Sequence, residues 1–135
     1  MDRRALDAAP LPTVVLRDGR IVYLNRAAAA LAGRPAGEVE GEGYQQFLPA
    51  EEVARLSERL KRRLRGETVP AEYEADLVLE GRRRHVQIHV AVEEADVVVQ
   101  LVDVSDRVAQ REQLMELARL GARAQRERSD EAIFA

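Results

Sequence analysis

The sequence predicts an α+β domain that ends in a long helix. Strand-like, β-branched segments form two groups, a pair near the N-terminus and three near the C-terminus, and helix-forming sequence separates the groups. Turn signals such as Asp18-Gly19 and Gly81 stand between strands, so successive strands are predicted to run antiparallel. After the last strand, the chain passes directly into charged, helix-forming sequence without a glycine or a proline.

The N-terminal half combines a hairpin with several helices. Its predicted elements are, in order, a short helix at 2–9, strands at 13–17 and 20–24, a helix at 26–32, helical turns at 36–39 and 44–47, and a long helix at 49–65. Asn25 can accept a hydrogen bond from the first turn of the helix that follows it, and Gly33 can end that helix. The apolar face of the long helix is predicted to contain Val53, Leu56, Leu60 and Leu64.

The C-terminal half reads as three strands, at 71–80, 82–92 and 97–104. In the second of them, the apolar side chains at alternate positions from Val86 to Val92 are predicted to face the core. His85 and His89 should then face the opposite side. The third strand is apolar on both faces, which is typical of a central strand that is covered on both sides.

The composition excludes several function classes. The net charge of −3 provides no overall basic field, so we expect no binding to nucleic acid. The absence of cysteine excludes disulfides and thiolate chemistry. No apolar run approaches the ~20 residues that span a bilayer, and no signal-peptide stretch follows the N-terminus. We therefore expect a cytoplasmic segment without membrane contact.

The ordered set of segments resembles a PAS domain, the small α+β sensor module of bacterial signalling proteins. The resemblance covers about 6 to 107 and rests on "LDAAPLPTVVLRDGRIVYLNRAAAALAG", "FLPAEEVARL", "LRGETVPAEYEADLVLEGRRRHVQIHVAV" and "DVSDR". Tyr23-Leu24-Asn25-Arg26-Ala27 is similar to the Tyr-x-Asn-x-Ala element of the family. Asp103-Val104-Ser105 is similar to the Asp-x-Thr joint between the sheet and an outgoing helix, with serine in place of threonine.

The resemblance implies a five-stranded antiparallel sheet with helices on one face. Family members use the space between sheet and helices for a haem, a flavin, a small metabolite or side chains alone. The predicted wall of such a pocket is apolar or aromatic: Leu31, Tyr44, Phe47, Leu56, Leu60, Tyr73, Leu77, Ile88, Val99 and Leu101. An ordinary filled core stays open as the alternative. An anionic ligand would need an inward arginine, for which Arg26, Arg34 and Arg55 are nearest, although each is expected to be solvated.

Two cofactors of the family are not expected. Flavin-binding members of the light-sensing LOV type need a cysteine, and they carry a glutamine where this chain has Leu101; Gln100 points to the opposite face. Haem-binding members usually supply a histidine from the long helix, which has none here. A metal ion shared by His85 and His89 is not expected either, because strand residues four apart are separated by roughly 13 Å. A small metabolite is left open.

Residues 105 to about 128 predict one continuous helix of roughly 35 Å. The resemblance makes this the signalling helix, and the predicted joint to it comprises Asn25, Asp103, Ser105 and Arg107. The apolar stripe of the helix contains Val108, Leu114, Met115, Leu117, Ala118, Gly121 and Ala122. Either the domain itself or the same helix of a second subunit must cover so broad a stripe, and we expect a parallel homodimer.

The sequence predicts no enzyme. It contains no phosphate-loop motif and no catalytic constellation, and no histidine follows His89 that could serve as a kinase phosphoacceptor. We expect residues 1–104 to be the sensor domain, with a helical cap at 1–12. Residues 105–135 would lead to a missing output domain of a two-component system, such as a histidine kinase, or of a cyclic-dinucleotide enzyme. The alternative is a ligand-free scaffold that dimerises or holds a partner.

Overall fold

The computed structural model describes residues 7–105, 107 and 110–121. The chain divides into two compact units, residues 1–104 and 105–135. The elements of the first unit are β1 (Thr13–Arg17), β2 (Arg20–Leu24), α1 (Arg26–Ala32), α2 (Ala36–Val39), a 3-10 turn (Tyr44–Phe47), α3 (Ala50–Leu64), β3 (Glu72–Leu79), β4 (Arg82–Glu93) and β5 (Asp96–Asp103). Their bounds differ from the predicted ones by no more than one residue.

The five strands form one antiparallel sheet in the order β2-β1-β5-β4-β3. β5 lies at the centre, as predicted, but the expectation that both of its faces are covered is wrong, because the helices lie on one face of the sheet and Val102 is 36% exposed. The turns that close the β1–β2 and β3–β4 hairpins both use left-handed backbone, with φ of 52° at Asp18 and 74° at Gly19, and 52° at Glu80 and 73° at Gly81. Two consecutive residues with positive φ match the twist of the flanking strands, which is why these short sequences end their strands so sharply.

The helices cover one face of the sheet and bury the core against it. Val86, Ile88 and Val90 point into this core from β4, and Leu56 reaches it from α3. The predicted α+β fold, with an antiparallel sheet and helices on one face, is confirmed. Of the residues predicted on one face of α3, Leu56 is buried, whereas Leu64 is 52% exposed and does not share this burial.

Asn25 joins α1 to the start of β1. Its Oδ1 accepts hydrogen bonds from the Ala28 amide (2.9 Å) and from the Thr13 amide (3.0 Å), while its Nδ2 donates to the Leu11 carbonyl (2.9 Å). Asn25 is fully buried, and Gly33 ends the helix with φ of 71°, so both predicted caps are confirmed. Of the predicted helix at 2–9, only the end is described, and residues 7 and 8 are helical.

The second unit is helical at residues 105, 107 and 110–121. The described positions of the predicted dimer stripe are all exposed: Leu114, Met115, Leu117, Ala118 and Gly121. Val108 and Ala122 lie outside the described residues. Within the described part of the chain, none of the helices combines the length and the apolar character needed to cross a membrane.

Candidate ligand-binding site

A cavity of about 130 Å³ lies between the inner face of the sheet and the helices. Each strand and helix from β1 to β5, and the 3-10 turn, contributes side chains to its wall. The wall contains all of the residues that the sequence predicted for a pocket: Leu31, Tyr44, Phe47, Leu56, Leu60, Tyr73, Leu77, Ile88, Val99 and Leu101. The structure thus places these side chains around one space, and their role in binding a ligand stays a prediction.

The sequence analysis missed further wall residues. Most are apolar side chains from the hairpin, from α1 and from the ends of the other strands: Val14, Leu16, Ile21, Leu24, Ala28, Ala32, Val39, Leu48, Leu79, Val90 and Val97. They belong to the same inward-facing positions as the predicted ones. The alternation of apolar residues along each strand was therefore the signal that could have found many of them.

Two arginines of α3, Arg59 and Arg63, also line the cavity. Helix geometry explains why they do so while Leu64 does not. With 3.6 residues per turn, Arg63 lies about 20° and Arg59 about 60° from the direction of Leu56, whereas Leu64 lies about 80° away on the other side. The spacing from Leu56 was the available signal, but the charge of both residues had suggested a solvated face.

The three arginines that the sequence had placed nearest the pocket mouth are engaged at the surface. Arg26 contacts Asp7, with 3.2 Å between Nε and Oδ2. Arg34 contacts Glu42, with 2.7 Å between Nη2 and Oε1, and Arg55 contacts the α3 residue Glu52 at 2.5 Å. None of the three is among the wall residues of the cavity in the described part of the chain.

Arg59 carries a polar atom that the described residues leave without an acceptor. Its guanidinium carbon lies 4.3 Å from the centre of the Tyr73 ring, and its Nη1 is buried without a hydrogen bond to any described residue. The neighbouring Arg63, in contrast, donates through Nη2 to the Pro70 carbonyl. Because arginine keeps its charge at all ordinary pH values, the two arginines place positive charge in a mostly apolar wall, and only Arg59 has a buried donor without a described acceptor.

Two tyrosines add hydroxyl groups to this wall. Burial raises the pKa of the Tyr73 hydroxyl, although the nearby arginines, led by Arg59, oppose the shift. Tyr73 therefore stays neutral at physiological pH. The Tyr44 hydroxyl donates to Ser57 Oγ (3.1 Å), and Gln45 Nε2 donates to the same oxygen (2.8 Å), which fixes the 3-10 turn against α3.

The end of β5 is tied to β4 by side-chain and backbone contacts. Arg84 Nε donates to Asp103 Oδ2 (2.8 Å), and the Val104 amide donates to the His85 carbonyl (2.9 Å). Of the other residues predicted for a signal joint, Ser105 and Arg107 are helical, and Asn25 bonds to β1 and to the N-terminal segment as described above. The joint as a functional unit stays a prediction.

The outer face of the β3–β4 hairpin carries a row of ionisable side chains. His85 lies between Glu74 (Nε2 to Oε2, 2.9 Å) and Asp76 (Nδ1 to Oδ1, 2.8 Å), and His89 contacts Glu72 at 3.2 Å. The hydrogen bond to Glu74, followed by that to Asp76, raises the pKa of His85. Among the described residues, no group of three or more histidine, aspartate and glutamate side chains is arranged to hold a metal ion.

Comparison with known families identifies the fold. The family model described as the PAS fold matches residues 6–109, which is most of the chain. The chain belongs to the PAS family. Members of this family are typically sensory domains, and the cavity lies between the sheet and the helices of that fold.

Solved structures with the same fold come from signalling proteins. The PAS domain of the RpfR quorum-sensing receptor of Cronobacter turicensis, in complex with BDSF, has a TM-score of 0.65 and 19% identity, covering 71% of this chain and 95% of that one. The PAS domain of a LuxR-family transcriptional regulator of Burkholderia thailandensis, in complex with ethanol, has a TM-score of 0.64 and 21% identity, covering 78% of this chain and 99% of that one.

An RNA-binding Light-Oxygen-Voltage receptor has a TM-score of 0.67 and 20% identity; the match covers 90% of this chain and 37% of that receptor. No curated protein sequence matches the chain. At these identities the structures demonstrate a shared fold.

Proposed function

We propose that this PAS domain is a cytoplasmic sensor that holds a small, largely apolar molecule in its cavity. The observation that carries the proposal is the cavity itself, at about 130 Å³ within the core. Protein interiors are close-packed, and voids larger than a water molecule are few. An apolar cavity of about 150 Å³ is known to bind benzene, so the space suits a ligand whose body is about the size of an aromatic ring.

The solved structures give independent support. The quorum-sensing receptor PAS domain is in complex with BDSF in one structure and with C12:0 in another, and the LuxR-family domain is in complex with ethanol. PAS domains of this fold therefore accept small molecules of different kinds. The sequence argues against flavin photochemistry, because the chain has no cysteine that could form the adduct with a flavin.

The proposed signal leaves through β5. Val99 and Leu101 line the cavity, and the same strand ends at Asp103, whose carboxylate holds Arg84 of β4. A ligand that displaces the two wall residues would shift the strand and so disturb the contacts at its end. No glycine stands at the junction between the strand and the helix-forming sequence to absorb the shift, so two conformations of the strand can bias the output domain. A histidine kinase of a two-component system or a cyclic-dinucleotide enzyme would be a suitable output protein.

Native mass spectrometry and thermal denaturation test the ligand. We expect either a co-purified molecule of low mass or a melting temperature that rises with a small apolar compound. Ala28→Leu, which fills part of the cavity from α1, should abolish the response, whereas the matched control Ala91→Leu on the exposed outer face of β4 should retain it. No bound molecule and no shift in a broad screen would favour the ligand-free scaffold instead.

The exposed stripe of the C-terminal helix supports a homodimer. Leu114, Met115, Leu117 and Leu120 are between 52% and 65% exposed, and an unpaired row of such side chains favours helix pairing. Light scattering should give a dimer mass for the full chain and a monomer mass for Leu117→Glu. Gln113→Glu, a polar position of the same helix, is the control that should stay dimeric. A dimer mass for Leu117→Glu would refute pairing through this stripe.

A further inference from the structure

We propose that the molecule held in the cavity is a monocarboxylate and that Arg59 binds its carboxylate group. The inference rests on the proposed ligand-binding function, which it sharpens. Its basis is the buried Nη1 of Arg59, which has no hydrogen-bond acceptor among the described residues and belongs to a side chain that lines the cavity. Arg59 as a whole is only partly buried, but a buried N–H donor without an acceptor is costly, and an anion in the cavity could accept the hydrogen bond that water supplied to Nη1 in the unfolded chain.

No described residue accepts a hydrogen bond from Arg59 Nη1, and a nearby carboxylate, that of Glu52, is engaged elsewhere. The positive charge of Arg59 contributes to lowering the pKa of Glu52, after the larger effect of the hydrogen bond from Arg55, so the two groups are close. Both oxygens of Glu52 already accept hydrogen bonds, Oε1 from Arg55 Nε (3.0 Å) and Oε2 from Arg55 Nη2 (2.5 Å). The Asp76 amide adds a third at 3.4 Å. Glu52 is thus the partner of Arg55 and of the β3 edge.

The other arginines in this part of α3 also have acceptors. Arg63 donates to the Pro70 carbonyl, and Arg62 contacts Glu67, with 3.4 Å between Nε and Oε1. The ring of Tyr73 lies against the guanidinium of Arg59 and limits its orientation. Arg59 therefore combines a buried, unpartnered donor with a restricted orientation, which is the arrangement of a preformed anion site.

The rest of the wall selects the class of anion. Apart from Arg59, Arg63 and the two tyrosines, the wall is made of aliphatic side chains and Phe47, so the body of the ligand must be apolar. A single unpartnered cationic group matches a single negative charge, and the planar guanidinium fork matches a carboxylate. The volume of about 130 Å³ fits a compact body such as a phenyl ring or a short alkyl chain.

Isothermal titration calorimetry with matched acids and amides tests the inference on the full chain. Benzoate and benzamide have nearly the same shape, as do hexanoate and hexanamide, and only the acid of each pair carries a charge at neutral pH. We expect at least one of the acids to bind about tenfold or more tightly than its amide.

Variants of α3 then assign the preference to Arg59. Arg59→Met keeps the length of the side chain without its charge, and it should lose the preference for the acid while still binding the amide. Arg59→Lys keeps the charge without the fork and should retain part of the preference. Arg62→Met, the same change at an exposed position of the same helix, should leave the preference intact. Retention of the full preference in Arg59→Met would overturn the inference.

The remaining outcomes separate this inference from the function on which it rests. Equal affinity of the wild type for acid and amide would overturn the role of Arg59 and leave the cavity as an apolar binding site. Failure of all four compounds to bind would count against the ligand-binding function itself, because even the neutral amides fit the size and polarity of the cavity. Binding of the acids alone, with loss in Arg59→Met, would support both.

Discussion

The two faces of the β3–β4 hairpin differ in how their polar groups are satisfied. On the outer face, strand register places Glu72 opposite His89 and Asp76 opposite His85, and these side chains contact one another. On the inner face, the same strands present Tyr73 and other apolar wall residues to the cavity, where Nη1 of Arg59 has no described acceptor. The described polar side chains of the outer face thus contact one another, whereas the inner face borders a cavity and a buried donor without a described acceptor.

The β3–β4 hairpin can present polar pairs on one face and apolar wall residues on the other because of its strand register. Because successive side chains of a strand point to opposite faces, a slip of one residue would turn the carboxylates of β3 into the cavity. The hydrogen-bonded polar pairs opposite each other on the outer face therefore favour the register that keeps the inner face apolar. We therefore expect the polar pairs of the outer face to contribute to the choice of register and the apolar wall to contribute most of the stability.

The largest expected effect comes from removing wall packing. Ile88 is 4% exposed on the inner face of β4, and Ile88→Ala should lower the free energy of unfolding by about 2–5 kcal/mol, since it removes buried methyl groups and enlarges the cavity. Gln87→Ala, the adjacent outer-face residue, should change it by no more than about 0.5 kcal/mol. Chemical denaturation measures both. Equal losses would contradict the assignment of stability to the inner face.

A smaller effect of opposite sign is expected from Arg59. In the empty protein, Arg59→Met should raise the free energy of unfolding by about 1 kcal/mol, because the cost of the buried, unpartnered donor exceeds the loss of the contact with Tyr73. Chemical denaturation of ligand-free protein checks the sign, with Arg62→Met as the matched control. A decrease would mean that Arg59 is a packing residue that already has sufficient compensation.

The sequence could predict the strands and the inward positions because both depend on local patterns. Asp18-Gly19 and Gly81 marked turns that need positive φ, and alternation along β4 separated Ile88 from His89. The apolar wall follows from that alternation once the helices are known to lie on one face. Leu64 was grouped with Leu56 because both are apolar. Its direction on α3, however, differs from that of Leu56 by about 80°, and it is exposed.

The lack of a described acceptor for Nη1 of Arg59 could not be predicted from the sequence. The direction of Arg59 on α3 was available from its spacing to Leu56. Its lack of an acceptor, however, depends on Glu52 being held by Arg55 and on the edge of β3, which are contacts made only after the sheet and helix have packed. The chemistry of the site therefore arises from competition among neighbours in space, whereas the position of the wall arises from local periodicity.

The smallest expected effect is the contribution of His85 on the outer face to the free energy of unfolding. Hydrogen bonds to Glu74 and then to Asp76 raise the pKa of His85 above its ordinary value, so protonated His85 stabilises the folded state. That contribution is fully present below the pKa of histidine in the unfolded chain and is lost as the pH rises through the higher pKa of the folded state. Its size should stay below about 1 kcal/mol, since the side chain is 31% exposed.

Chemical denaturation of the wild type and of His85→Gln over a range from about pH 5 to about pH 9 measures this contribution. The wild type should be the more stable of the two at the acidic end, and the difference should shrink towards the alkaline end. Glu74→Gln removes the negative charge of the first of the two carboxylates and should flatten the dependence, because of this pair Asp76 alone then favours the charged imidazole. A difference in stability that does not change with pH would show that His85 contributes through packing alone. The outer face at His85 would then be stabilised by packing, as the inner face is.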